Sequence, residues 1–262
     1  MSLAEDAAVM MLISVSAALA FLAAYAYVGA GWTHSTFDRF VISAPPTAVL
    51  CCVLLGLPKL VSKSSQRIVS GSPRYSYLSS AAHQLFVFPC CLCVELWAVA
   101  ATGASAGDYL HSSWVGASPG RLAGHAMLFA YWLADLITTP NPPVIVVHHF
   151  VCLGVLSVSI AELVGPSSAV CFCGAIAFEA GNIFLSLARL YESSQTINVL
   201  CLIFMTASNL LASGLALWFG FFFEGGGVPA RVVVVVLALG MAAGRQLTDL
   251  QRWAEAKSGH GD

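Results

Sequence analysis

The chain has 262 residues, 58% of them hydrophobic and 9% charged, with a formal net charge of −2 and a mean hydropathy of +0.83. An ordinary soluble domain carries about a quarter charged residues, so this composition excludes a soluble globular protein and describes a chain threaded through a bilayer. The near-neutral charge argues against a nucleic-acid-binding surface.

Apolar runs of about 17 to 25 residues mark membrane-spanning helices. In chain order they fall near 8–32, 41–61, 82–105, 122–139, 143–163, 167–190, 197–222 and 229–245. The expected fold class is all-α, a polytopic membrane protein of about eight transmembrane helices. The first run has Glu5 and Asp6 ahead of it and no basic segment, and it is too long for the apolar part of a cleaved signal peptide. It reads as a retained span. The second contains Pro45–Pro46, which predicts a kink or a late start. The last is short. All nine cysteines lie within apolar segments and read as buried free thiols; Cys90, Cys91 and Cys93 lack metal-site spacing.

Lys and Arg placement sets the orientation. The segment between the second and third runs holds Lys59, Lys63, Arg67 and Arg74 and no acid, which predicts a cytosolic loop over 62–80. Both termini are then cytosolic. Arg189, Arg245, Arg252 and Lys257 fall at or beyond cytosolic ends, and Arg39, Arg121 and Arg231 fall on the other side.

Ionisable residues within spans cost about 2.5–3.5 kcal/mol each on insertion scales, so they point to function by default. They are Glu95, Asp135, His148, His149 and Glu179. Asp135 precedes Pro140 by five residues, and His148 follows Pro143 by five, so each lies roughly 8 Å into its helix from the same side. Counting from the next turn, near 164–167, brings Glu179 to that level as well. Glu179, Asn182, Ser186 and Arg189 are spaced 3, 4 and 3, one polar stripe running toward the cytosolic end. Adjacent histidines point about 100° apart on a helix. One is expected to meet Asp135, and the other to face a cavity or the Glu179 helix. A carboxylate beside an imidazole fixes its tautomer and raises its basicity, as a general base or an imidazole nucleophile requires. The same cluster could instead join helices by hydrogen bonds. Glu95, placed near mid-bilayer, is open to either reading, and His83 and His125 are read as interfacial. Two histidines and two carboxylates are acceptable metal ligands, but adjacent histidines seldom share one ion, and no metal is expected.

The segments "YWLADLITTPNPPVIVVHHF" and "FEAGNIFLSLAR" resemble the TLC domain family, whose pattern is an aspartate on one helix, a double histidine early in the next, and an acidic residue with Asn nearby on the third. Here these are Asp135, His148–His149, and Glu179 with Asn182. The resemblance spans about residues 35–250. The longer signature of the ceramide synthases is absent, and the match is closer to the TLC-domain-containing branch. The resemblance implies a six-helix TLC core over 35–250, an N-terminal transmembrane helix over 1–34 and a cytosolic tail over 251–262. It implies work on an acyl group by His148 and His149, with Asp135 and Glu179 beside them as the other candidate catalytic residues; Asn182, Ser186 and Arg189, on the polar stripe, are the candidate substrate-binding residues. It implies a role in lipid metabolism or homeostasis in the endoplasmic reticulum, with Golgi and plasma membrane as alternatives. The partners expected are membrane lipids, with acyl-CoA as co-substrate of an acyltransferase, no cofactor and no nucleic acid; a homodimer is allowed. The alternative function is a non-catalytic lipid sensor or a cargo receptor.

Overall fold

The computed structural model describes residues 3–30, 36–56, 67–69, 71–112, 118–141, 143–163, 168–223 and 227–258. Among them, long helices stand at each of the eight apolar runs. They are α1 (Leu3–Ala30), α2 (Thr36–Gly56), a continuous rod made of α3 (Arg74–Ala82), a π-helical stretch (His83–Val87) and α4 (Phe88–Ala100), then α6 (Pro119–Thr138), α7 (Pro143–Ile160), α8 (Ser168–Leu190), α9 (Gln195–Phe222) and α10 (Val228–Ser258). A short α5 (Ala106–Leu110) lies between α4 and α6. Six of these helices are long and apolar enough to cross a membrane, which makes the chain an all-α integral membrane protein. The apolar part of α7, Ile145–Ile160, is shorter. α6 carries Arg121, His125 and Asp135 and is buried along most of its length.

Backbone groups in a bilayer must bond within the chain, which favours unbroken helices. α2 accordingly begins at Thr36 and continues through Pro45–Pro46, earlier than the sequence suggested. The third rod starts at 74 and ends at 100 rather than spanning 82–105. Its π-helical stretch precedes Pro89, which lacks the N–H needed to bond four residues back. Phe88 N–H donates instead to His83 O, five residues back. α10 extends to Ser258, so residues 251–258 of the expected tail continue the helix. An amphipathic extension loses hydropathy without losing helicity, so the hydropathy limit at 245 fell short. Lys59, Lys63 and the turn at 164–167 lie outside the described residues.

Asp6 of α1, Arg74 of α3 and Tyr191 after α8 meet at one end of the bundle, here the near end. Arg74 Nε donates to Asp6 Oδ1 at 3.0 Å, a second Arg74 N–H reaches Asp6 Oδ2, and Tyr191 O–H donates to Asp6 Oδ2 at 2.6 Å. At this end the antiparallel strands β1 (Ile68–Val69) and β2 (Ser72–Pro73) pair around a turn in which Gly71 takes φ 83°. That left-handed conformation suits glycine, which has no Cβ to clash. α1 is part of the core: its Ile13, Ala17, Phe21 and Ala24 pack in the same cluster as Phe88, Met127 and Trp132.

α8 and α9 approach closely at Gly181. A Cβ there would stand 2.1 Å from Ser208 Oγ and 3.0 Å from Ser208 Cβ. We expect Gly181→Ala to destabilise the detergent-solubilised protein by about 1–3 kcal/mol through overpacking, seen as a lower thermal midpoint, with Ser208→Gly recovering part of the loss. An unchanged midpoint would mean that α8 and α9 are not in contact there.

Candidate functional site

α3, α6, α7 and α8 enclose a cavity of about 410 Å³ that reaches the near end of the bundle. Asp135, His148, His149, Glu179, Asn182, Ser186 and Arg189, the seven residues singled out in the sequence, all line it. Pro140 and Asn141, in the tight turn between α6 and α7, sit at its mouth with Gly71 and Ser72 of the β-turn. Glu179 lies eleven residues before the end of α8, so the cavity extends about 16 Å into the bundle.

The two histidines take different partners. His149 Nδ1 lies 3.6 Å from Asp135 Oδ2, and His148 Nε2 lies 3.6 Å from Glu179 Oε1. Both separations are just beyond a direct hydrogen bond. The rings are 5.4 Å apart and inclined at 54°. Cys152, one turn beyond His148, places its Sγ 3.7 Å from His148 Nε2.

Glu179 is 1% exposed and heavily bonded. Gln84 Nε2 donates to Oε2 at 2.9 Å, Asn182 Nδ2 donates to Oε2 at 3.2 Å, and Trp132 Nε1 donates to Oε1 at 3.2 Å. Arg245 of α10 stands behind Asn182, donating to its Oδ1 at 2.9 Å and to Phe178 O at 2.6 Å. Its place at the limit of the hydropathy run predicts a terminal cation, but α10 continues past it and Arg245 turns inward. Gln84, Trp132 and Arg245 were not singled out from sequence. A tryptophan in an apolar run reads as core, and its N–H gives no signal of an acceptor on another helix. Gln84 lies in the π-helical stretch, where the altered turn shifts helical phase.

Asp135 also serves the backbone turn. Thr139 Oγ1 donates to Oδ1 at 2.8 Å, and Asn141 Nδ2 donates to Oδ2 at 3.0 Å. The aspartate therefore closes the α6–α7 turn and stands beside His149 at the same time.

Glu95 belongs to a second cluster at the far end. The sequence reading placed it near mid-bilayer, but α4 ends at Ala100, which leaves Glu95 little more than a turn from the far end. Arg121, expected outside the membrane, lies inside α6, and neither it nor Glu95 has any exposed surface. Arg121 Nε donates to Glu95 Oε1 at 2.8 Å, and Ser118 O–H donates to Glu95 Oε2. Arg121 also donates to Ser168 Oγ at 2.8 Å and Ser112 Oγ at 2.9 Å, and its guanidinium lies over the Tyr109 ring. Hydropathy counting pushes charges out of spans, and it cannot see that two charges cancel across helices. Arg39 is likewise inside α2 and buried, paired with Glu162 at 3.4 Å just beyond α7. His83 and His125, read as interfacial, are both fully buried. His83 lies against Tyr131, tilted by 31° with 4.9 Å between ring centroids, and His125 stacks on Phe172 at 5.2 Å.

A small apolar cleft of about 70 Å³ adjoins the polar chamber, bordered by α7, α8, α9 and α10. Trp132 and Cys152 line the cleft while touching Glu179 and His148, so one layer of side chains separates the two spaces. Among the described residues no three His, Cys, Asp or Glu side chains converge as a metal-ion set. All nine cysteines are free.

Fold and site together define a polytopic helical membrane protein with a buried acid–imidazole chamber opening at one end. No protein-family model matches the chain, and no curated protein or solved structure matches it.

The two carboxylate environments predict unequal costs. Glu95→Ala leaves the Arg121 guanidinium buried without its counter-ion, and we expect a loss of about 3–5 kcal/mol. Asp135→Ala removes two hydrogen bonds from a partly exposed turn, and we expect about 1–2 kcal/mol. Thermal or denaturant unfolding in detergent checks both, and similar losses would show that the far-end pair is not load-sharing between helices.

Proposed function

We propose that this protein is a lipid-handling member of the TLC type, resident in the endoplasmic reticulum membrane, and that it transfers an acyl group from acyl-CoA to a membrane lipid through its histidine pair. One observation carries this reading: two adjacent imidazoles stand within one cavity, each 3.6 Å from a different carboxylate. Such neighbours favour the imidazolium that forms when a histidine takes a proton.

His149 is the candidate base. With Nδ1 turned to Asp135, its Nε2 is the nitrogen left for an acceptor's proton. The acceptor oxygen or nitrogen attacks the thioester carbonyl, the carbon–sulfur bond breaks, and the proton held on the imidazole passes to the departing thiolate. Arg189 at the chamber's near end suits an anionic donor.

A second reading, a non-catalytic lipid sensor or trafficking receptor, draws on a different observation. Asp135 and Glu179 are both already engaged by protein donors, as purely architectural carboxylates would be.

Purified protein incubated with radiolabelled long-chain acyl-CoA and a panel of lipid acceptors decides between them. We expect acyl transfer by wild type and a fall of about a hundredfold or more when His148 and His149 are both changed to Ala. Arg189→Ala should raise KM for acyl-CoA more than it lowers kcat. No transfer by wild type to any acceptor, with lipid binding retained, would leave the sensor or receptor reading.

A further inference from the structure

The wall of the chamber opposite the histidines comes from α3 and the π-helical stretch. Ser76, Ser80 and Gln84 recur every four residues along them, Ser72 of β2 stands just ahead, and all four line the cavity. None is charged. Four residues rise about 6 Å along a helix, so this wall carries a polar group at regular intervals from the mouth to the depth of Glu179.

The hydrogen-bond capacity left on this wall can be read group by group. Thr139 Oγ1 stands 2.8 Å from Asp135 Oδ1 and 3.2 Å from Ser76 Oγ. Thr139 has one hydroxyl proton, and the carboxylate takes it, so Ser76 donates to Thr139 and keeps its own lone pairs as acceptors. Tyr131 O–H donates to Ser80 Oγ at 2.8 Å, which leaves the Ser80 proton as a donor. Gln84 points its NH₂ at Glu179, because an ionised carboxylate only accepts. Its Oε1 is buried with no hydrogen-bond partner, and the residue is 2% exposed. Toward the chamber the wall therefore offers an acceptor at Ser76 and a donor at Ser80, with the unpaired Gln84 Oε1 buried at its deep end.

We propose that this wall binds the headgroup of a neutral, hydroxyl-bearing lipid, a diol of the monoacylglycerol kind, with Ser76 and Ser80 as its main ligands. A hydroxyl both donates and accepts, so it matches each group on the wall. An ammonium only donates and a carboxylate only accepts. The acids nearby do not reverse this preference for a neutral group. Glu179 already holds Gln84, Asn182 and Trp132, and Asp135 holds Thr139 and Asn141. Arg189 and Arg245 add positive charge around the same space. The inference deepens the acyl-transfer reading by naming the acceptor. For its chemistry it rests on that reading; the binding itself does not.

The test is equilibrium binding of radiolabelled 1-monooleoylglycerol to the purified full chain, without any acyl donor, competed by oleylamine and by oleate. In wild type the unlabelled diol should compete about tenfold or more better than the amine or the acid. Changing both Ser76 and Ser80 to Ala should weaken diol binding by about tenfold or more, while Ser80→Thr, which keeps the hydroxyl, retains it. Oleylamine or oleate competing as well as the diol overturns the proposal, and so does undiminished diol binding by the double-alanine variant. The competition in wild type stands whether or not the variants fold. Diol binding without any acyl transfer removes the acyltransferase reading and leaves the wall. Acylation of oleylamine but not of the diol removes the wall and leaves the acyltransferase.

Discussion

One buried carboxylate joins four elements of the bundle. Glu179 on α8 receives Gln84 from the π-helical stretch, Trp132 from α6 and Asn182 from its own helix, and His148 of α7 stands 3.6 Å away. Inside a bilayer there is no bulk water to solvate a carboxylate, so its lone pairs must be met by the protein. Meeting them fixes the mutual rotation of those helices. The chamber follows, because helices held together at this depth leave a polar space between that junction and the near end.

The rest of the structure supports the junction from two sides. At the far end the Glu95–Arg121 pair, with Ser118, Ser112 and Ser168, binds α4, α6 and α8 below the chamber. At the near end Asp6, Arg74 and Tyr191 bring together α1, α3 and the end of α8. α9 and α10 add a polar seam of their own: Arg252 donates to Asn198 and Asp249, and Gln246 bridges Thr206 and Asn209. In lipid, helix rotation is set by close packing of small residues, as at Gly181, together with directional hydrogen bonds such as these. The polar groups that looked expensive in the sequence are the ones that set the architecture.

Several of these features were legible in the sequence. Hydropathy located the helical runs, because a span must hide about 20 residues of backbone. The short Thr139–Asn141 turn made α6 and α7 antiparallel neighbours, so counting residues sufficed to set Asp135 level with the histidines. The 3-4-3 spacing put Glu179, Asn182, Ser186 and Arg189 on one face of α8. Other features were hidden for definite reasons. Ser76 fell in a stretch read as a basic loop, since four cations and several serines outweighed its helical spacing. The Arg121–Glu95 pair joins residues on different helices, and no local pattern encodes that. Gln84 depends on a π-helical turn whose cue, Pro89, lies five residues downstream.

The central claim is that Glu179 is a junction whose donors act on it directly. A double-mutant cycle between Gln84 and Glu179, with Leu at either or both positions, measures this by unfolding in detergent. The account predicts a coupling of about 1 kcal/mol or more, with the double variant less destabilised than the sum of the single ones. Strict additivity would show that the two side chains do not bond, and would contradict the four-element junction on which the chamber is built.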